Sequence, residues 1–211
     1  MKVYKYPDKG NWEEIMQRPA SDYSSLEKSV KKILQKVKDK GDKAIRKFSK
    51  EFDGASLKRI QVSEKEINTA ASLLPEELKQ AIQQAKKNIE QFHQSQKEEV
   101  KKVETMPGVL CWREAVGIEK VGLYIPGGSA PLFSTVLMLA VPAQIAGCKE
   151  IILSTPPAKD GSINPAILFA AQLCGITKIF KAGGVQAIAA MAYGTETIPK
   201  VFKIFGPGSQ Y

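Results

Sequence analysis

The residues best placed to do chemistry in this chain are glycines and prolines. Val121–Ser134, VGLYIPGGSAPLFS, reads as a buried strand, a tight Pro-Gly-Gly corner and the start of a helix. Such a corner brings backbone N–H groups and a helix N-terminus to one edge of a sheet, where α/β proteins bind nucleotides and phosphorylated ligands. Further Gly- or Pro-rich corners follow Ile151–Thr155, Lys178–Lys181 and Val201–Phe205. None of them matches GxGxxG, and Gly-Gly after a strand also serves positive φ or close helix–strand packing. A helix N-terminus favours a nearby negative charge by roughly 0.3–1 kcal/mol, which orients an anion without identifying it.

Side-chain chemistry is sparse by comparison. Cys111, Cys148 and Cys174 are odd in number and widely spaced, and they read as reduced, buried thiols. No CxxC or paired-His pattern supports a metal site. His93, the only histidine, lies in the polar stretch QFHQSQKE and reads as a solvated helix residue.

Two kinds of element must position the corners. Residues 1–115 read as a helical region that ends in a short β-hairpin. Its first stretch, with VYKY, reads as a short strand or an extended lead-in, followed by a polar turn ending near Pro19. Leu26, Val30, Ile33 and Val37 then form one apolar helical stripe, closed by Gly41. Asp42 is placed to cap a second helix, in which Ala44, Ile45 and Phe48 face inward and which Gly54 closes. Ser63 and Glu66 form a capping-box pair for a third. Pro75 opens a fourth, with Leu78, Ile82, Ala85, Ile89 and Phe92 as its stripe. Around Met106-Pro107-Gly108 the period changes to alternation, which predicts a β-hairpin or an extended pair, and Trp112 is expected to pack.

Residues 116–211 read as strand and helix in alternation. The strands are Val121–Ile125, Glu150–Ser154, Ile176–Lys181 and Val201–Phe205. The helices are Val136–Ala146 capped by Ser134 or Thr135, one starting at Asn164-Pro165, and Gln186–Tyr193. Continuous apolar strands joined by helices predict a parallel sheet with helices on both faces, so that all four corners share one edge.

Composition excludes several classes. With 211 residues, 43% hydrophobic and 25% charged, the chain can bury a core and is not of the disordered type. No apolar run reaches the roughly 18–20 residues a membrane span needs. The N-terminus lacks the apolar core of a signal peptide, which predicts a cytoplasmic protein with no membrane partner. The net charge of +9 is spread along helices where Lys alternates with Glu and Asp, as in KSVKKILQKVKDKGDK. That is the pattern of a solvated face, without the basic–aromatic interleaving of a nucleic-acid binder.

The wording of the second half says more than its periodicity. GLYIPGGSAPLFSTVLMLAVPAQIAGCKEI, GGVQAIAAMAYGT and IPKVFKIFGPG resemble histidinol dehydrogenase continuously from Val116 to the end, and GDKAIRKFSKEFDG fits that family's N-terminal region. The resemblance implies a zinc-dependent, homodimeric enzyme with incomplete Rossmann-like domains. Such an enzyme oxidises L-histidinol through the aldehyde to L-histidine with NAD+ as acceptor. It implies cofactor contacts at Tyr124, in GLYIPGG, and Gln186, in GGVQA. A ring packed at a strand end and a helix-capping amide are the purely structural explanations of the same two residues. A third family contact is the Asn of a GPGN string. Here that position is Ser209, which keeps a short polar group but loses the amide's paired donor and acceptor.

The family's zinc ligands and Glu-His acid/base pair lie beyond that string. The expectation is therefore a truncated piece that carries the NAD side of the site, contains no catalytic or metal-binding residue and is inactive alone. Its sheet edge and apolar faces would be left uncovered, favouring self-association. The alternative is a non-catalytic nucleotide-binding or dimerisation module derived from the same family.

Overall fold

The computed structural model describes residues 3–17, 24–128 and 131–207. The turn near Pro19, Gly208 of the last corner and Ser209 lie outside the described residues.

Four strands form one parallel sheet: β3 (Lys120–Tyr124), β4 (Glu150–Thr155), β5 (Lys178–Lys181) and β6 (Lys203–Phe205). Their spatial order is β5-β4-β3-β6. The chain steps outward from β3 to β4 to β5, then returns to the other side of β3 as β6. Between β3 and β6 the direction of winding reverses. In open α/β sheets such a reversal leaves a crevice at the carboxyl ends of the strands, where ligands bind.

Alternation along the strands sends side chains to two separate cores. Leu123, Leu153 and Ile179 face one layer, made of α3 (Glu64–Ala70), α4 (Glu76–Gln94), α5 (Phe133–Ile145) and α6 (Pro165–Leu173). Ile152 and Phe180 face the other, made of α2 (Ser24–Phe48) and α7 (Gly184–Tyr193). Helices from the first half of the chain therefore cover both faces of a sheet built by the second half. Burying residues such as Ile45 and Ile82, both fully enclosed, stabilises by roughly 1.5–3 kcal/mol each.

The helical hairpin α2 bears directly on the crevice. Its helical dihedrals break at Gly41, where φ is 47° and ψ is −130°. One arm runs down to the break and the other returns along α7 to a π-helical turn, Ser49–Asp53, closed by Gly54 in the left-handed region. Asp42 does not cap its own helix. Its carboxylate accepts from the Thr195 hydroxyl (2.7 Å), the Thr197 amide (3.2 Å) and the Thr197 hydroxyl, and its own amide donates to Glu196 Oε2 (2.7 Å). The cap thus comes from 154 residues away in sequence, where no local pattern could show it.

Other local expectations shift for identifiable reasons. Lys9–Asn11 is a 3₁₀ turn leading into α1 (Trp12–Met16), with no strand in the described lead-in; Glu13 and Glu14 in the first turn favour the helix. α5 starts at Phe133 after Leu132, so neither Ser134 nor Thr135 is its cap. β5 begins late because the Ile176 amide is held by Ala171 O at the end of α6. The Val201 amide is likewise taken by Met191 O, which delays β6. The predicted capping box at Ser63 and Glu66 is formed, and Asn164 caps α6 through the Ala166 amide.

Phe92 and Trp112 are exposed instead of packed. Trp112 follows a hairpin, β1 (Val103–Met106) and β2 (Val109–Cys111), whose residues are all exposed, and Lys102 lies over its ring. Of the cysteines, Cys174 is buried, Cys148 is half-buried and Cys111 is exposed on the hairpin.

The β5 edge is closed by residues 60–62. The Val62 amide donates to Ile179 O (2.9 Å) and the Lys181 amide to Ile60 O (2.7 Å). Beside this seam the nearly buried Lys181 pairs with Glu66 at 2.5 Å. Burial pushes the Glu66 carboxyl up, but hydrogen bonds from Lys181 and Ser63 outweigh it and hold the group below its usual value. Glu66 therefore contributes stability above its unfolded value of about 4.3, lost as pH falls through the lower folded value. Glu66→Gln is expected to lower the denaturant midpoint at pH 7, with the gap to wild type closing below about pH 4. A gap of the same size at both pH values would refute the assignment.

Candidate functional site

The crevice predicted by the winding reversal is present. A cavity of about 880 Å³ opens at the ends of β3 and β6, between the first turn of α7 and the upper part of α2. Its size falls within the usual range for small-molecule sites. Val30, Ile33 and Leu34 of α2 and Ile204 of β6 give it apolar walls, while Tyr124, Gln186 and Asp53 supply its polar groups.

Tyr124 ends β3 and crosses to α7. Its hydroxyl accepts from the Gly184 amide at 2.8 Å, satisfying one of the amides that a helix N-terminus leaves open. The phenolic proton remains free to donate to a ligand. Burial pushes the phenol up from its ordinary value; the Gly184 amide offsets part of this, and the negative charge of Asp53 adds to it. Tyr124 therefore stays protonated, and so a donor, at neutral pH. Gln186 lies on the first turn of α7, buried, with its amide against Gly184. Gly184 holds φ at 56°, a conformation costly for other residues, which sets the entry angle of α7.

The corners themselves meet at one ring. A Cβ on Gly183 would stand 2.5 Å from Pro156 Cβ, and one on Gly127 would stand 2.6 Å from Pro156 Cγ. Corners after three strands thus close around the proline that follows β4. A second hollow, of about 480 Å³, opens beside it between Gly127, Gly128, Thr155 and Asn164. Asp53 borders both hollows. A third, basic hollow of about 580 Å³ is lined by Arg46, Lys58, Arg59 and Lys65 and shares no lining residue with the other two.

The histidinol dehydrogenase family profile matches residues 16–211. The chain belongs to the histidinol dehydrogenase family. It is 64% identical over 211 residues to the histidinol dehydrogenase of Bacteroides thetaiotaomicron, covering 100% of this chain and 49% of that protein. It is 52% identical over 199 residues to that of Escherichia coli K12, covering 94% of this chain and 45% of the relative. The crystal structure of histidinol dehydrogenase from Elizabethkingia anophelis superposes with a TM-score of 0.93 at 55% identity, over 100% of this chain and 49% of the other. The chain spans about half the length of the relatives it matches, and corresponds to the N-terminal half of the family.

Tyr124 and Gln186, singled out from the histidinol dehydrogenase resemblance, come together on one wall of the crevice. Ser209 lies outside the described residues. His93 is on α4, hydrogen-bonded to Gln96 at 2.7 Å and not among the residues lining the crevice. Among the described residues no group of three or more His, Cys, Asp or Glu is placed to hold a metal ion. Sequence reasoning missed Asp53 and the α2 residues of the wall. Val30 and Ile33 were read as core stripe, because periodicity reports which residues share a face and not what that face meets.

Proposed function

We propose that this chain forms the cofactor side of a histidinol dehydrogenase and binds NAD in the crevice between β3 and β6. The family activity would be oxidation of L-histidinol through the aldehyde to L-histidine, in histidine biosynthesis, by a cytoplasmic homodimer. The observation that carries the reading is the Tyr124 hydroxyl fixed on the Gly184 amide at the winding reversal of the sheet. When bound, NAD+ supplies the hydride acceptor. The residues of this chain supply its binding: the α7 N-terminus favours an anionic group, the Tyr124 phenol donates, the Gln186 amide donates and accepts, and the α2 wall excludes water. The described residues do not fit a zinc site, so no step is routed through the metal.

The chain alone is expected to bind NADH, read by titration of cofactor fluorescence, and to form no NADH from L-histidinol and NAD+ with zinc present. Tyr124→Phe removes the hydroxyl that bridges the Gly184 amide to a ligand. Loss of one hydrogen bond, about 0.5–1.5 kcal/mol, predicts a roughly 2- to 13-fold weaker Kd. Gln186→Leu should weaken binding similarly. Zinc-dependent turnover by the chain alone, or cofactor affinity unmoved by both substitutions, would overturn the reading. Sedimentation velocity reads the oligomeric state directly. Among the described residues no strand pairs with the outer side of β6, where Phe202 is exposed.

A further inference from the structure

The π-helical turn Ser49–Asp53 brings to the crevice an acid whose Oδ2 has no hydrogen-bond partner. π-turns are rare and recur at functional sites, because the extra residue re-aims a side chain. Here the turn, stopped by Gly54 at φ 70°, brings Asp53 to the boundary between the two hollows at the strand ends. Asp53 Oδ2 is buried with no hydrogen-bond partner, and so is the neighbouring Ser49 Oγ. Among the described residues Asp53 takes part in no ion pair. Burial pushes its carboxyl up, with Ser49 offsetting part of the rise. A half-buried carboxylate costs free energy unless something donates to it. Of the polar side chains lining the crevice, the Tyr124 hydroxyl and the Gln186 amide can donate, whereas the Asp53 carboxylate only accepts.

We propose that Asp53 is a cofactor-contact residue whose carboxylate accepts a ribose hydroxyl of the dinucleotide bound in the crevice. The inference rests on the reading of the crevice as the NAD site. The chemistry favours a sugar hydroxyl over the other parts of the cofactor. The pyrophosphate would be repelled. The oxidised nicotinamide ring carries positive charge but has no N–H on the ring nitrogen to satisfy an orphan acceptor. A ribose hydroxyl is a neutral donor that can satisfy the unpartnered Oδ2.

The test compares wild type, Asp53→Asn and Asp53→Ala in titrations with NAD+ and with NADH. Asn keeps the shape and removes the acceptor-only character. The expected result is an approximately tenfold weaker Kd for both cofactor forms with either variant, while thermal unfolding is unchanged or moves upward because a poorly solvated charge is gone. Equal loss is the signature of a hydroxyl contact, since the ribose is the same in both forms. A loss confined to NAD+ would assign Asp53 to the ring's charge and overturn the proposal. Affinities within twofold of wild type would overturn it as well, leaving the NAD reading intact. Failure of the wild-type chain to bind either form would instead remove the reading of the crevice, and this inference with it.

Discussion

Asp42→Ala is expected to destabilise the chain by about 3 kcal/mol, from the loss of several hydrogen bonds to one buried charge. At roughly 2–4 °C per kcal/mol for a domain of this size, the melting temperature should fall by about 6–12 °C. Asp42 is only 6% exposed, and it gathers three donors from Thr195 and Thr197 beside an ion pair with Arg46 at 3.6 Å. Truncation leaves a half-buried amide and two hydroxyls without their acceptor. Asp42→Asn keeps one acceptor oxygen and should cost less. The effect should also reach the crevice. Asp42 anchors the closed end of the α2 hairpin against the loop after α7, while Val30, Ile33 and Asp53 stand at its open end. NADH affinity should therefore fall alongside stability, even though Asp42 does not line the cavity. A loss below about 1 kcal/mol would mean that the loop re-forms its bonds elsewhere.

This latch marks the limit of what the sequence could show. The break at Gly41 was legible, because a glycine between two apolar stripes ends a helix. Its partner was not, because Glu196 and the two threonines lie in a loop with no periodicity. The parallel strands and their common edge were legible from continuous apolar runs punctuated by Gly and Pro. Strand order was not, since nothing in a run of Val, Ile and Leu says whether the last strand pairs beside β5 or returns to β3. Yet that order creates the crevice. Tyr124 and Gln186 were found through particular wording. Asp53 was missed because a π-turn leaves no signature that separates it from an ordinary helix end. The exposure of Trp112 was not legible, because alternation in a hairpin does not say whether anything covers its face, and among the described residues nothing does.

The second large effect concerns the proline around which the corners close. Gly183→Ala should destabilise by roughly 1–3 kcal/mol, the usual cost of an inserted methyl in a packed site. Backbone strain does not enter: Gly183 has φ −112°, which alanine adopts freely. The cost is steric, because the new Cβ would stand 2.5 Å from Pro156 Cβ and 3.2 Å from Pro156 Cα. Neither atom can rotate away. The first turn of α7 must move, carrying the Gly184 amide off the Tyr124 hydroxyl, so NADH affinity should fall roughly tenfold, about 1.4 kcal/mol.

Two controls separate this from a general intolerance of the corners. A Cβ on Gly128 meets no heavy atom within 4 Å among the described residues, so Gly128→Ala should be close to neutral, one residue from the sensitive Gly127. Pro156→Gly removes the closest clashing atoms, Cβ at 2.5 Å and Cγ at 3.2 Å, and leaves only Cα at 3.2 Å. In the double variant Gly183→Ala with Pro156→Gly the two effects should be less than additive, with a coupling of about 1–2 kcal/mol in chemical denaturation. Strict additivity would show that Gly183 and Pro156 do not share a contact, and the three corners would then be independent turns instead of one joint that fixes the mouth of the crevice.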